Sequence, residues 1–360
     1  MSHTAQDPFY DSMHGLLLRH FSKFLCAAIV VLIFLGGQVK SHEAGLAVPD
    51  WPLTYNQNPI TYPYSEWTGG IFHEHFHRLV AGVVAMLSVL LCAWVWVAGA
   101  PKWIKSLSIV AVGAVLAQAV LGGMTVLFHL PVVISSSHAT LAQTYLLLNI
   151  ILAYGLSKEY RRRRDAAAGR PEPVSGWFAA SVVLILLVYA QLIIGAAMRH
   201  TESGLAIPDF PTTANQWVPS FSDEQLAWVN DWRFEKSAEL GLDLPDVTRG
   251  QMLIHFAHRI GAVVVTCYIL FLAWRAFKRS APASIQKSMG LLVGLVGVQF
   301  TLGATVIWTT RMPLITSVHV ATGAAVLAAA TLLAIRAYDF AGEAETAGER
   351  AESHSPVAVG

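Results

Sequence analysis

Eight long apolar runs constrain this chain more than any other feature of its sequence. A membrane-spanning helix needs about 20 mostly apolar residues, and each run reaches that length between charges, prolines or polar stretches. Only 13% of the residues are charged, against about a quarter in soluble domains. We predict an all-α membrane protein with eight transmembrane helices at 20–39, 76–98, 105–127, 136–157, 176–197, 256–277, 286–308 and 314–337.

Basic residues predict the orientation of these spans. They collect before the first span and in the loops after the second, fourth and sixth, including the arginine run at 161–164. The two long loops, about 40–75 and 198–255, carry more acid than base. Because cytoplasmic loops are enriched in Lys and Arg, we expect both termini in the cytoplasm. The N-terminal lead lacks a cleavage site and an arginine-rich transit character, which favours a retained first helix in a bacterial inner membrane.

The chain also repeats itself. The segment GLAVPDWP at 45–52 recurs as GLAIPDFP at 204–211, an offset of 159 residues. A second set of residues repeats with an offset of 181: His77, Arg78, Gln118 and His138 are matched by His258, Arg259, Gln299 and His319. Around residues 122–126 the alignment of the two halves slides by one residue. We expect two pseudo-symmetric four-helix bundles, at 1–165 and 166–345, and a disordered polar tail at 346–360.

Four of the 14 histidines occupy matched positions in the two halves. His77 and His258 open the second and sixth predicted spans, and His138 and His319 lie near the start of the fourth and eighth. Ionisable groups at membrane depth are costly and usually functional. Opposed imidazoles in a bundle core can ligate haem iron, whereas zinc usually takes four ligands. We predict a haem at each pair; the alternative is hydrogen bonding of the imidazoles to neighbouring helices.

The halves differ beside the first histidine of each pair. Glu74 precedes His77 by three residues, so both project from one helix face, and His255 takes that place in the second half. A carboxylate beside a haem can act as a base or stabilise positive charge, or can be favoured there only by the helix dipole. Arg78 and Arg259 suit haem propionates, or extend to the membrane interface.

Neither nucleic-acid binding nor pairing of the cysteines is expected from the sequence. The net charge of +1 does not indicate an anionic partner, and because no basic cluster is interleaved with aromatics, we do not expect nucleic acid as a partner. Cys26, Cys92 and Cys267 all lie in apolar runs and are interpreted as small buried apolar residues.

These motifs resemble the haem A synthase family, membrane enzymes that make haem A from haem O for terminal oxidases. The resemblance covers nearly the whole chain and is most specific in the Glu-x-x-His-Arg at 74–78, matched by His-Arg without the glutamate at 258–259. It implies a haem b held by His258 and His319 and a substrate haem O held by His77 and His138. It also implies a catalytic Glu74 near the C8 methyl, which the family hydroxylates twice to give a formyl group.

The resemblance leaves several points open. The expected partners are haem O, haem A and the lipid bilayer, with haem O synthase, a quinone or other electron acceptor, and a second copy of the chain undecided. The first long loop lacks the cysteine pair of some family members. Two other classes would explain the histidines: a two-haem membrane cytochrome b for electron transfer with quinone, and a haem transporter or chaperone. The cytochrome does not explain why one half alone carries Glu74, and two loosely held haems would favour the transporter.

Overall fold

The regular structure is helical throughout the part of the chain described by the computed structural model, residues 8–166 and 176–338. The predicted tail at 346–360 lies outside that part. Two short 3₁₀ helices, Tyr64–Glu66 and Ser203–Leu205, lie in the long loops. The α-helices are α1 Met13–Ser41, α2 Gly69–Val97, α3 Lys102–Leu127, α4 Val132–Gly155, α5 Lys158–Ala166, α6 Trp177–His200, α7 Asp223–Leu240, α8 Arg249–Lys278, α9 Ala283–Trp308 and α10 Pro313–Tyr338.

Among the described residues, seven helices are long and apolar enough to cross a membrane: α1, α2, α3, α6, α8, α9 and α10. Helix α4 passes the same test together with α5, from which it is bent by 60°. At 1.5 Å per residue, the 24 residues of α4 extend about 36 Å, which suffices for an eighth span. The predicted all-α, multi-pass class is confirmed. Helix α7 lies in the second long loop, where the sequence predicts no element.

Helices α2 and α8 begin about two turns before their apolar runs. The predicted starts were 76 and 256, whereas the helices start at Gly69 and Arg249. His77 and His258 therefore lie eight and nine residues after the first residues of their helices, where the apolar runs begin. Polar residues can occupy the extra turns because the long loops cover them.

Contacts between helices divide the structure into two rings of four. In the first, α1, α2, α3 and α4 each contact the next and α4 contacts α1; in the second, α6, α8, α9 and α10 do the same. The rings meet through contacts of α1 with α10, α4 with α10 and α4 with α6. Helices α4 and α10 therefore lie at the centre of the molecule.

Apolar cores fill the end of each ring remote from the long loops. Leu25 and Leu146 are almost fully buried in the first core, and Leu184 and Leu292 in the second. Because lipid is as apolar as leucine, such cores stabilise a membrane protein mainly through close packing. The opposite end, called the loop end below, holds a cavity.

The repeat is more regular in space than in sequence. Gly122 packs against His138 and Gly303 against His319, so the offset of 181 persists and the predicted one-residue slide is wrong. The loop repeat also extends beyond its predicted end, because Thr54 bridges to Gln57 as Thr213 bridges to Gln216. The extra residues of the second half therefore follow Gln216 and include α7.

Candidate functional site

Each of the four matched histidines packs against a glycine of a neighbouring helix. A Cβ placed on the glycine would lie within about 3 Å of the imidazole Cε1, so any larger residue would push the ring away. The pairs, with that distance, are Gly36–His77 (3.1 Å), Gly122–His138 (3.0 Å), Gly195–His258 (3.0 Å) and Gly303–His319 (3.2 Å). The first and third glycines share the loop offset of 159, the signal by which the sequence could have revealed them.

Glutamine amides fix the second histidine of each pair. Gln118 Nε2 donates to the carbonyl of His138 (2.9 Å) and lies 3.4 Å from its Nε2. Gln299 Nε2 likewise lies 3.4 Å from His319 Nε2. The glutamine and histidine that share the offset of 181 are therefore in contact in both halves.

The first histidines of the two pairs have different neighbours. Gln191 donates to the carbonyl of His258 (2.8 Å) and approaches its Nδ1 (3.1 Å). This amide needs Gly261 beside it, since a Cβ there would come within 2.1 Å of Gln191 Oε1. The equivalent of Gln191 in the first half is Leu32, so His77 lacks that polar neighbour.

In the first half, Arg78 and Glu74 hold the long loop onto the end of α2. The Arg78 guanidinium donates to the carbonyls of Val48 (2.7 Å), Asp50 (2.6 Å) and Leu53 (3.2 Å). Glu74 is only 3% exposed; one carboxylate oxygen accepts from Arg78 and the other from the N–H of Val48 (2.8 Å). Both side chains are therefore committed to the loop.

The second half repeats this clamp with a different residue in the glutamate's place. Arg259 donates to the carbonyls of Ile207 (3.0 Å), Asp209 (2.7 Å) and Thr212 (2.8 Å). His255 Nδ1 accepts from the N–H of Ile207 (3.1 Å), and its Nε2 lies 3.3 Å from Arg259 Nε. An uncharged acceptor therefore suffices to anchor the loop, and the negative charge of the first half exceeds what anchoring needs.

Each clamped loop turns around an aspartate. Asp50 accepts from the N–H groups of Tyr55 (2.9 Å) and Asn56 (2.8 Å). Burial raises the pKa of Asp50, but these N–H groups and the nearby Arg78 outweigh burial and lower the pKa below its ordinary value. Asp209 accepts in the same way from Ala214 and Asn215.

A cation-rich junction joins the halves at the loop end. Glu202 pairs with Lys40 of α1 and with Arg311 (3.2 Å), while Arg199 of α6 donates to the carbonyl of Gly37 (2.6 Å). Lys40 and Arg199 are related by the offset of 159, and all four charged side chains line the cavity. No local sequence pattern marks this junction, because its contacts join the two repeats.

Two further histidines of α2 lie beside the first pair and contact other parts of the first half. His75 is fully buried, and its Nδ1 lies 3.1 Å from Thr54 Oγ1. His73 stacks on His42 with ring centroids 3.9 Å apart. The three cysteines are free, but the prediction that all are buried is correct only for Cys26, because Cys92 is half-buried and Cys267 is exposed on its helix.

One cavity of about 1970 Å³ occupies the loop end, lined by all four matched histidines, Glu74, Arg78 and Arg259. Pockets for single small ligands measure about 300–1,000 Å³, so this cavity has room for two. Buried Nδ1 atoms of His77, His138 and His319 have no hydrogen-bond partner, and no cluster of three metal-ligating side chains occurs among the described residues. Such a donor set fits haem, whose porphyrin supplies four ligands itself, better than a bare metal ion.

Fold and site together define a multi-pass helical membrane protein with two repeated histidine-pair sites that suit haem. A family model described as cytochrome oxidase assembly protein (COX15-CtaA) matches residues 19–331. The chain belongs to that family.

Individual relatives agree with this membership. The chain is 25% identical over 310 residues to a protein named Heme A synthase from Halalkalibacterium halodurans, covering 84% of this chain and 91% of that protein. It is 27% identical over 290 residues to the Heme A synthase of Shewanella oneidensis, covering 76% and 82%. A third relative of that name, from Erythrobacter litoralis, is 23% identical over 315 residues, covering 78% and 87%.

Proposed function

We propose that this protein is a haem A synthase, which oxidises the C8 methyl of haem O to a formyl group by two successive hydroxylations. Family membership and the names of the relatives support this function over electron transfer by a two-haem cytochrome b. At the site, the observation that carries this proposal is the carboxylate of Glu74. Glu74 anchors the loop of the first half, whereas His255 anchors the loop of the second half at the equivalent position.

The two halves have different roles in this proposal. His77 and His138 bind the substrate haem O, and His258 and His319 hold a haem b. When bound, haem b supplies one-electron transfer towards an external acceptor, a quinone or another carrier. In this proposal Arg78 and Arg259 contact haem propionates while sharing their guanidinium groups with the loop carbonyls that they already bind.

Glu74 would act on the methyl group through its charge. Each hydroxylation adds the oxygen of a water molecule and releases an electron pair and two protons, so positive charge develops at the methyl carbon. A buried carboxylate held by Arg78 and Val48 can stabilise that charge without reorganising. It can also accept a proton from the attacking water.

The decisive variant is Glu74→His, which imports the residue of the second half. It keeps a loop anchor but removes the negative charge, so turnover should fall about 10²–10⁴-fold while haem remains bound in both halves. The measurement is haem extraction from protein made in cells that produce haem O, followed by chromatography and mass spectrometry. His255→Gln, which alters the second anchor without changing charge, is the control.

Two outcomes would contradict the proposal at different levels. Turnover retained in Glu74→His would remove the catalytic role of the carboxylate. Only haem B in the wild-type protein, at two per chain, would remove the synthase function and favour the cytochrome.

We further propose a bacterial inner membrane with both termini in the cytoplasm, supported by the basic loops. Reporter fusions at the C-terminus test this orientation, and a reporter active only outside the cytoplasm would contradict it.

A further inference from the structure

The part of the cavity that is lined by the histidine pair of one half is called a half-cavity below. The walls of the two half-cavities carry different residues at equivalent positions. Between α2 and α3, the first half lines its cavity with Gly82 and Ala119. Between α8 and α9, the second half has Val263 and Phe300 at the same two positions, by the offset of 181. All four residues line the cavity and are exposed, as expected of positions in a wall between the cavity and the lipid.

Gly82 and Ala119 each lie, along their helices, within about a turn and a half of a residue at the first histidine pair. Gly82 follows His77 by five residues, about 7.5 Å further from the loop end, and Ala119 lies three residues, about 4.5 Å, from the Gly122 that packs on His138. A Cβ placed on Gly82 would meet no atom within 4 Å. The wall of the first half is therefore thin where it passes the histidines.

In the second half, the same wall is reinforced from the loop. The ring of Phe300 packs edge-on against Phe210, with centroids 5.8 Å apart. Val263 lines the cavity and places a branched side chain where the first half has Gly82. Bulky groups thus separate the second half-cavity from the membrane.

The first half-cavity also contains buried polar atoms that have no hydrogen-bond partner among the described residues. The Nδ1 atoms of His77 and His138 and the Oε1 atom of Gln118 are buried without hydrogen-bond partners. The equivalent Nδ1 of His319 and Oε1 of Gln299 are unpartnered as well, so both halves offer ligand-binding atoms and the difference between them lies in the wall.

We propose that the isoprenoid tail of the substrate haem leaves the first half-cavity through the gap between Gly82 and Ala119 and lies in the lipid. Haem O differs from haem B in carrying a long isoprenoid chain, which an apolar membrane accommodates readily. Val263 and Phe300 close the equivalent gap, which suits a haem without such a tail. This inference rests on the proposed function and adds the structural basis for choosing between the two haems.

The test exchanges the wall residues between halves. The double variant Gly82→Val and Ala119→Phe should lose at least about 10-fold of its bound haem O and haem A, while haem B in the second half is unchanged. In titrations of the purified protein, its first half should still accept haem B, which has the porphyrin but no tail. Gly113→Val, a change on α3 at another exposed glycine with open space but outside the cavity lining, is the matched control.

The outcomes separate this inference from the proposed function. Wild-type content of haem O and haem A in the double variant would overturn the gap, and so would equal loss of haem O and haem B from the first half. Haem B alone in the wild-type protein would instead overturn the synthase function. If the double variant fails to fold, as judged by loss of haem B from the second half, Gly82→Val alone is titrated with haem O and haem B against the same criteria.

Discussion

At the scale of single residues, an aromatic ring of the long loop packs on the neighbouring helix in each half. The two halves differ in this ring and in one residue of the helix, and the differences compensate each other in size. The indole of Trp51 lies over Gly123, where a Cβ would meet indole carbons at 2.5–2.9 Å. The second half has Phe210 and Ala304 at these positions. A smaller ring on the loop thus accompanies a larger residue on the helix.

Exchanging this pair should reveal the coupling. Gly123→Ala should destabilise the protein by about 1–3 kcal/mol, because the indole must move. Adding Trp51→Phe should recover part of that loss, measured as the unfolding midpoint in detergent. Ala304→Gly, which creates no clash, is the control. A double variant no more stable than Gly123→Ala alone would show that the two residues are independent.

At the scale of elements, the two helices that carry the first histidines start differently. Thr248 forms a capping box with Gln251 at the start of α8, accepting from its N–H (3.3 Å) and donating its own N–H to the amide oxygen (2.9 Å). Thr68, at the start of α2, makes no side-chain cap. The start of α8 is thus stabilised locally, whereas that of α2 depends on the loop clamp.

Removing the hydroxyl groups of Thr248 and Thr68 should therefore change the free energy of unfolding by unequal amounts. Thr248→Ala should lower the free energy of unfolding by about 1 kcal/mol through loss of the cap. Thr68→Ala should change it by less than about 0.5 kcal/mol. Denaturant unfolding in mixed micelles measures both, and equal effects would argue against the cap.

At the scale of the whole molecule, Glu202 links the halves through Lys40 and Arg311. Burial raises the pKa of Glu202, but hydrogen bonding and charge from Lys40, together with Arg311, lower it below its ordinary value of 4.5. A lowered folded pKa means that the contribution to stability is present above the ordinary pKa and is lost as pH falls through the folded one.

Stability should accordingly depend on this carboxylate at neutral pH and not in acid. Because Glu202 is 43% exposed, Glu202→Gln should lower the unfolding midpoint by only about 1–2 °C at pH 7, with a smaller difference near pH 3. Glu43→Gln, at the equivalent position in the first half, is the control. A difference that grows as pH falls would contradict the assignment.

The sequence by itself determined the spans, the duplication, the four histidines and the single glutamate. In a membrane, backbone hydrogen bonds must be made within the helix, so apolar length alone predicts the elements. The repeat then marked the matched side chains without any knowledge of their contacts.

Only the tertiary structure decided how those side chains are held. It brings Gly36 to His77 and Lys40 to Glu202, and it commits Arg78 to loop carbonyls. It also extends α2 beyond its apolar run, since the loop covers the polar turns that composition alone assigns to water. These features depend on contacts between segments far apart in the chain, which no local pattern encodes.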